Sequence, residues 1–273
     1  MGVSRGSGYI HGYSTDEQDR LYQQARFLEE RLYDCIDFSD AERIVEVGCG
    51  VGAQTEILLE RFPALHIDGV DASEMQLERA RKHLAEPIRQ GRVRLTHADA
   101  KKLPFADNSF DGAFLCWILE HVPDPVEVLR ETARVLAPGA RVYCTEVLNA
   151  TFFLEPYSPA TQQYWFAFND HQWNLGGDPF VGAKLGNLLL DAGFQQIETF
   201  VKSFHYDSRT PKLRAQMIDF WTVLLLSGTP ALLEAGRTTE AEIARMRDEL
   251  DRVKHDRNGV FFYSAVQATA RVF

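Results

Sequence analysis

The chain has 273 residues, of which 45% are hydrophobic and 25% charged, enough apolar material for a large core and too much for global disorder. Lys and Arg number 29 against 39 Asp and Glu, a formal charge of −10, which repels phosphate backbones and argues against a nucleic-acid partner. The longest strong apolar run, residues 220–226, falls far short of the ~20 residues that cross a bilayer, so no membrane partner is expected.

Residues 1–13 carry no apolar stretch of the secretory kind, and Gly6 stands where an N-myristoylation signal needs Ser or Thr. Cys35, Cys49, Cys116 and Cys144 form no C-x-x-C pair. A reduced, cytoplasmic chain is the simplest expectation. Ser14-Thr15-Asp16-Glu17 fits a capping box, and Leu21, Ala25, Leu28 and Leu32 follow as one helical stripe. From residue 43 strands and helices alternate. Strands are expected at 43–47, 66–70, 93–97, 110–116 and 141–147. Helices are expected at 54–61, from Ser73 to about residue 84, and from Pro125 through Val135.

Residues 150–181 break this rhythm with nine aromatics in 32 residues. A helix over 182–190 and a strand over 196–201 follow, then two helices within 211–256, then a β-rich segment over 260–273. With no room for a further crossover, that last segment is expected to run antiparallel. These elements predict one domain in four parts: 1–42 as an N-terminal lid and helix, 43–149 as a nucleotide-type core, 150–181 as an aromatic insertion, and 182–273 as the rest of the core with a helical insertion at about 204–258. The fold class is α/β, Rossmann-like and doubly wound.

The most informative stretch is Glu46-Val47-Gly48-Cys49-Gly50-Val51-Gly52-Ala53, between the first strand and a helix. Glycines there let the chain turn sharply and let a ligand approach the main chain beside free helix N–H groups. Asp71 ends the second strand, 21 residues after Gly50, where a carboxylate accepts from ribose hydroxyls. Gly48, Gly50 and Ala53 also satisfy the loose G-x-G-x-x-G/A pattern of dinucleotide folds, so an NAD(P)-dependent oxidoreductase stays open. Glu46 weighs against it. Its carboxylate repels a pyrophosphate and attracts the sulfonium and ammonium of S-adenosylmethionine.

With these residues the sequence resembles the class I S-adenosylmethionine-dependent methyltransferases. Glu46 to Gly52 looks like their first motif, Gly69-Val70-Asp71-Ala72-Ser73 the second, and Ala98-Asp99-Ala100 with Leu103-Pro104-Phe105 the third. Phe110 to Phe114 leading to Leu119-Glu120-His121-Val122, and Leu129 to Val142, are similar to the parts that follow. The likeness is strong over 43–147, weaker over 182–201 and 260–272, and closest to the branch acting on small molecules, quinone-biosynthesis and natural-product enzymes included. It implies a mostly parallel seven-stranded sheet with an antiparallel last strand.

The resemblance also implies a cofactor site made of Glu46, Gly48, Cys49, Gly50, Asp71, Ala72, Met75, Asp99, Ala100, Cys116, Trp117 and His121, with Tyr13 from the N-terminal segment. Asp71 would hold the ribose and Asp99 the adenine amino group, and Cys116, Trp117 and His121 would lie near the methionine part. By chemistry alone Cys116 reads as a core residue, His121 as a helix start, and Met75 as either adenine packing or core. Methyl transfer needs alignment, exclusion of water and, for some acceptors, removal of a proton. Candidates for that base are Tyr13, His11, Glu146 and His171. Cys116-Trp117-Ile118-Leu119 lacks the Asn/Asp-Pro-Pro-Tyr/Phe run of many amide and amino-base methyltransferases, and no residue cluster suggests a metal. The aromatics of 150–181 either clamp a flat acceptor or form a second core.

The sequence therefore predicts methylation of a small, aromatic or apolar metabolite, by a monomer or homodimer. A non-catalytic or rearranging cofactor-binding protein of the same fold is a further alternative.

Overall fold

A computed structural model describes residues 10–12 and 14–273. In chain order the elements are α1 (Thr15–Leu32), β1 (Arg43–Val47), α2 (Ala53–Arg61), β2 (His66–Asp71), α3 (Glu74–His83), α4 (Ala85–Arg89) and β3 (Val93–His97). They continue with β4 (Phe110–Cys116), α5 (Pro125–Val135), β5 (Leu136–Val147), β6 (Phe153–Glu155), α6 (Pro159–Asn174) and α7 (Leu185–Asp191). The chain closes with β7 (Gln195–Tyr206), α8 (Pro211–Ser227), α9 (Thr229–Glu234), α10 (Glu240–His255) and β8 (Val260–Arg271). The described residues divide into two compact units, a core unit of residues 14–147, 181–202 and 266–273 and a helical unit of residues 10–12, 148–180 and 203–265.

In the core unit the strands follow the order β3-β2-β1-β4-β5, all parallel, and the C-terminal half of β8 comes next to β5. Burial explains their composition. Ile44, Val45 and Val47 on β1 and Ala113, Phe114 and Leu115 on β4 are shut from water, as strands covered on both faces must be. Register Asp71↔His97 brings the C-terminal ends of β2 and β3 side by side. The last strand is stitched in by Gln267, whose amide donates to Leu32 O (2.8 Å) and Thr145 Oγ1 (2.9 Å), and by Gly139 N–H to Val272 O (2.7 Å).

Local chemistry sets the helix starts. Ser14 Oγ accepts from Glu17 N–H at 3.2 Å, one half of the expected capping box, while the Glu17 carboxylate takes Arg20 at 2.6 Å. Asp124 caps α5 by accepting from Glu127 N–H, with Pro125 in the first turn.

Three expectations need correction. Strand β5 begins at Leu136, five residues early, because Leu136 pairs with Phe110 of β4 before a register shift and Gly139 and Ala140 bond Val272. The described residues hold eight strands, not seven; the addition is β6, antiparallel to the start of β8. The expected pair of helices over 211–256 is three, broken at Gly228, where a Cβ would stand 2.6 Å from the Phe168 ring.

The helical unit packs α10 against α6 and α8. Its core is aromatic. Phe152 stacks on Trp221 (centroids 5.1 Å, 17°), Trp165 on Phe168 (5.4 Å, 16°), and Tyr263 lies 4.6 Å from Trp221. Of the nine aromatics in 150–181, Phe152, Tyr164, Trp165 and Phe168 are buried, while Phe153, Tyr157, Phe166, Trp173 and Phe180 are exposed. The segment thus supplies a core and also leaves five aromatics exposed.

Candidate functional site

Because β1 to β5 are parallel, their C-terminal ends share one edge, and the segments after them meet there. The glycine loop leaves β1 at that edge. Gly48, Gly50 and Gly52 have φ of 77°, 51° and 78°, left-handed values that favour glycine. Gly48 and Cys49 donate their N–H groups to Val70 O at 2.8 and 3.0 Å, which pins the loop to β2. Gly50 N–H donates to Asp71 Oδ2 at 2.9 Å, and Ser73 N–H to Asp71 Oδ1 at 2.8 Å.

The glycines differ in their reasons. A Cβ on Gly48 would meet Ile118 Cδ1 at 2.7 Å, and one on Gly52 would meet Leu84 Cδ1 at 2.6 Å. One on Gly50 would meet nothing within 4 Å. Along the Cβ direction, of these three glycines Gly50 alone borders open space, whereas a side chain on Gly48 would meet Ile118.

Glu46 is buried at the end of β1, and Thr55 Oγ1, in the first turn of α2, donates to its Oε2 at 2.6 Å. Burial pushes its carboxyl up to about 8, opposed by the Thr55 bond and assisted by the charge of Asp71. Burial also raises Asp71, against the N–H bonds from Ser73 and Gly50 and the nearby His97. Two acidic groups with little solvent therefore lie along the loop, an arrangement that favours a cation over a phosphate.

Beyond β2, Ala72 and Met75 are exposed, which sets aside the core alternative for Met75. Asp99 is exposed and its Oδ1 accepts from Lys101 N–H at 2.9 Å, with Ala100 partly covered beside it. After β4, Cys116 lies within 3.7 Å of Gln54 Nε2, and burial lifts its thiol far above the ordinary range. Cys49 is buried with its thiol raised in the same way. Trp117 adopts φ of 56° and its N–H donates to Thr145 O at 2.9 Å. His121, partly buried, closes the following turn 3.6 Å from Glu120.

The base candidates separate. Glu146 is fully buried in the core unit, with Oε1 accepting from Ile118 N–H (3.1 Å) and Leu119 N–H (2.7 Å). Burial and then Glu120 push its carboxyl well up. With no exposed surface and Oε1 engaged by two backbone N–H groups, Glu146 does not face an acceptor, against that expectation. His11 and His171 belong to the helical unit. His11 Nδ1 bonds Ser227 Oγ at 2.5 Å and its ring lies 5.5 Å from Phe168. Burial and Arg237 lower His171. Tyr13 and most of the expected lid, residues 1–9, lie outside the described residues.

Sequence reasoning missed three contributors. His97 ends β3 and donates Nε2–H to Ala72 O at 2.9 Å. Thr55 holds Glu46, and Ile118 covers Gly48. Only Thr55 carried a signal, its place one turn past the glycine loop. Among the described residues no group of three or more His, Cys, Asp or Glu could hold a metal, and no helix is long and apolar enough to cross a membrane.

The model of the methyltransferase domain family matches residues 45–144. The O-methyltransferase cnsE of Penicillium expansum is 34% identical over 197 residues, covering 70% of this chain and 67% of that protein. The methyltransferase GfsG of Streptomyces halstedii is 36% identical over 140 residues, covering 50% of each, so the chain spans about half that relative's length. The crystallised phosphoethanolamine N-methyltransferase 2 of Haemonchus contortus, with phosphomonomethylethanolamine and S-adenosylhomocysteine, superposes with a TM-score of 0.59 at 16% identity. That match covers 97% of this chain and 61% of the other, a likeness of fold alone.

Proposed function

As this chain belongs to the class I S-adenosylmethionine-dependent methyltransferases of the small-molecule type, we propose that it methylates a small aromatic or apolar metabolite. We take oxygen as the accepting atom, after the relative from Penicillium expansum named an O-methyltransferase. The observation that carries the cofactor reading is the loop itself: open space at Gly50, Glu46 buried beside it, and Asp71 bonded to its backbone. These residues fit a ligand with a sulfonium, an ammonium and a ribose: a cation beside Glu46 favours its ionised form against the burial that otherwise holds its proton, whereas a pyrophosphate would add to that penalty.

In this reading Asp71 accepts the ribose hydroxyls on lone pairs left by Gly50 and Ser73. Ala72, Met75, Asp99 and Ala100 border the adenine, with Asp99 accepting from its amino group. Gly48, Cys49, Gly50, Cys116, Trp117 and His121 surround the methionine part; Tyr13, expected with them, lies outside the described residues. The cofactor supplies a methyl group already activated by its sulfonium; the chain's task is to align the acceptor, exclude water and receive a proton. Of the base candidates, His11, His171 and Tyr13 remain.

Calorimetry with S-adenosylmethionine, S-adenosylhomocysteine and NADPH tests the cofactor, since a ligand at 100 times its dissociation constant adds about 2.7 kcal/mol of stability. Binding of the first two and not the third is expected; the reverse would restore the oxidoreductase. Release of S-adenosylhomocysteine with hydroxylated aromatic acceptors tests the reaction. Cofactor binding without release from any acceptor would return a non-catalytic binder.

A further inference from the structure

Glu146 stands one residue from the end of β5, shut from solvent, and its two oxygens are treated unequally. Oε1 accepts two backbone N–H groups, from Ile118 and Leu119, where the chain leaves β4. Oε2 is buried with no hydrogen-bond partner among the described residues. Charge on that oxygen would be unsolvated and would face Glu120 on the same turn, so the uncharged acid is the stable form.

The effect of this carboxyl reaches the glycine loop through one residue. Ile118, whose N–H it holds, has Cδ1 2.7 Å and Cβ 2.9 Å from where a Gly48 Cβ would stand. The peptide fixed by Glu146 is therefore the one whose side chain presses on Gly48. Trp117, just before it, is held at φ of 56°, a value a bulky residue keeps only when its surroundings impose it. Thr145 O accepts the Trp117 N–H, so successive residues of β5 grip successive peptides of the turn.

We propose that Glu146 is a positioning residue for cofactor binding, which seats Ile118 on Gly48 and so sets the shape of the glycine loop without touching the cofactor. The proposal rests on the reading of that loop as the S-adenosylmethionine site. It also gives the strand-end carboxyl a role that needs no proton transfer.

The test is calorimetry of S-adenosylhomocysteine binding to the full chain and to Glu146→Gln, Glu146→Ala and Ile118→Ala, each well below its melting temperature. Gln keeps an uncharged acceptor oxygen, so affinity within about threefold of the unsubstituted chain is expected. Ala leaves two N–H groups without an acceptor, so affinity at least about tenfold weaker is expected, with the binding ratio unchanged. Ile118→Ala removes the wall but keeps the carboxyl, and weaker binding by a similar factor is expected; it also stands in should Glu146→Ala not fold. An alanine variant at either position that binds normally while melting lower would reduce the residue to a fold role and overturn the proposal. A Gln variant as weak as Ala would overturn it too, because charge rather than the acceptor oxygen would then matter. No binding by the unsubstituted chain would instead overturn the cofactor reading, and this proposal with it.

Discussion

Gly48 and Gly50 share a left-handed backbone, yet substitution separates them. Gly48→Ala drives a methyl group into Ile118, so a loss of about 1–3 kcal/mol is expected on top of the backbone strain. Gly50→Ala meets nothing, so only about 1 kcal/mol is expected, with cofactor affinity lost instead. Urea melts and calorimetry on both variants check this; equal stability losses would refute the distinction. Glu46 predicts a pH effect. Its carboxyl titrates at about 8 in the fold against an ordinary 4.5, so between these values the folded chain holds a proton that the unfolded chain has released. Stability from this group is complete below 4.5 and is lost as pH rises through 8. Denaturant midpoints at pH ~5.5 and ~8.5 should show a drop that Glu46→Gln diminishes. A drop of the same size in the variant would mean that another group titrates.

At the scale of elements, Asp71 joins three: the end of β2, the glycine loop through Gly50, and the start of α3 through Ser73. Asp71→Ala should therefore weaken S-adenosylhomocysteine binding by at least about tenfold and also destabilise the chain by about 1–3 kcal/mol, as two N–H groups lose their acceptor. Unchanged melting would show that water replaces the carboxylate. Elements whose signal is local were legible in the sequence: β4 as a mostly apolar run, and α5 from Pro125. Gly139 and Ala140 were not, because they bond Val272, more than a hundred residues away. The same holds at the site. Glu46, the glycines and Asp71 lie in short runs that announce a nucleoside-type loop. His97 acquires meaning only from its register with Asp71, and Ile118 only from a turn folded against Gly48.

For the whole molecule, two units divide the hydrophobic burial. The helical unit rests on rings, with Trp221 against Phe152, Trp165, Phe261 and Tyr263. Trp221→Ala should cost about 3–5 kcal/mol there, read as a lowered melting temperature by calorimetry. A melting temperature that does not move would remove Trp221 from that core. The sequence showed the abundance of these aromatics but not which faced inward, since α6 carries buried Tyr164, Trp165 and Phe168 beside exposed Phe166. The strand next to β5 comes from residues 266–271, later in the chain than every segment of the helical unit. On the ribosome, β5 must therefore wait through more than a hundred residues of further translation before its neighbour emerges. Throughout that interval its flank is an unfilled edge, open to chaperones and to strands of other nascent chains.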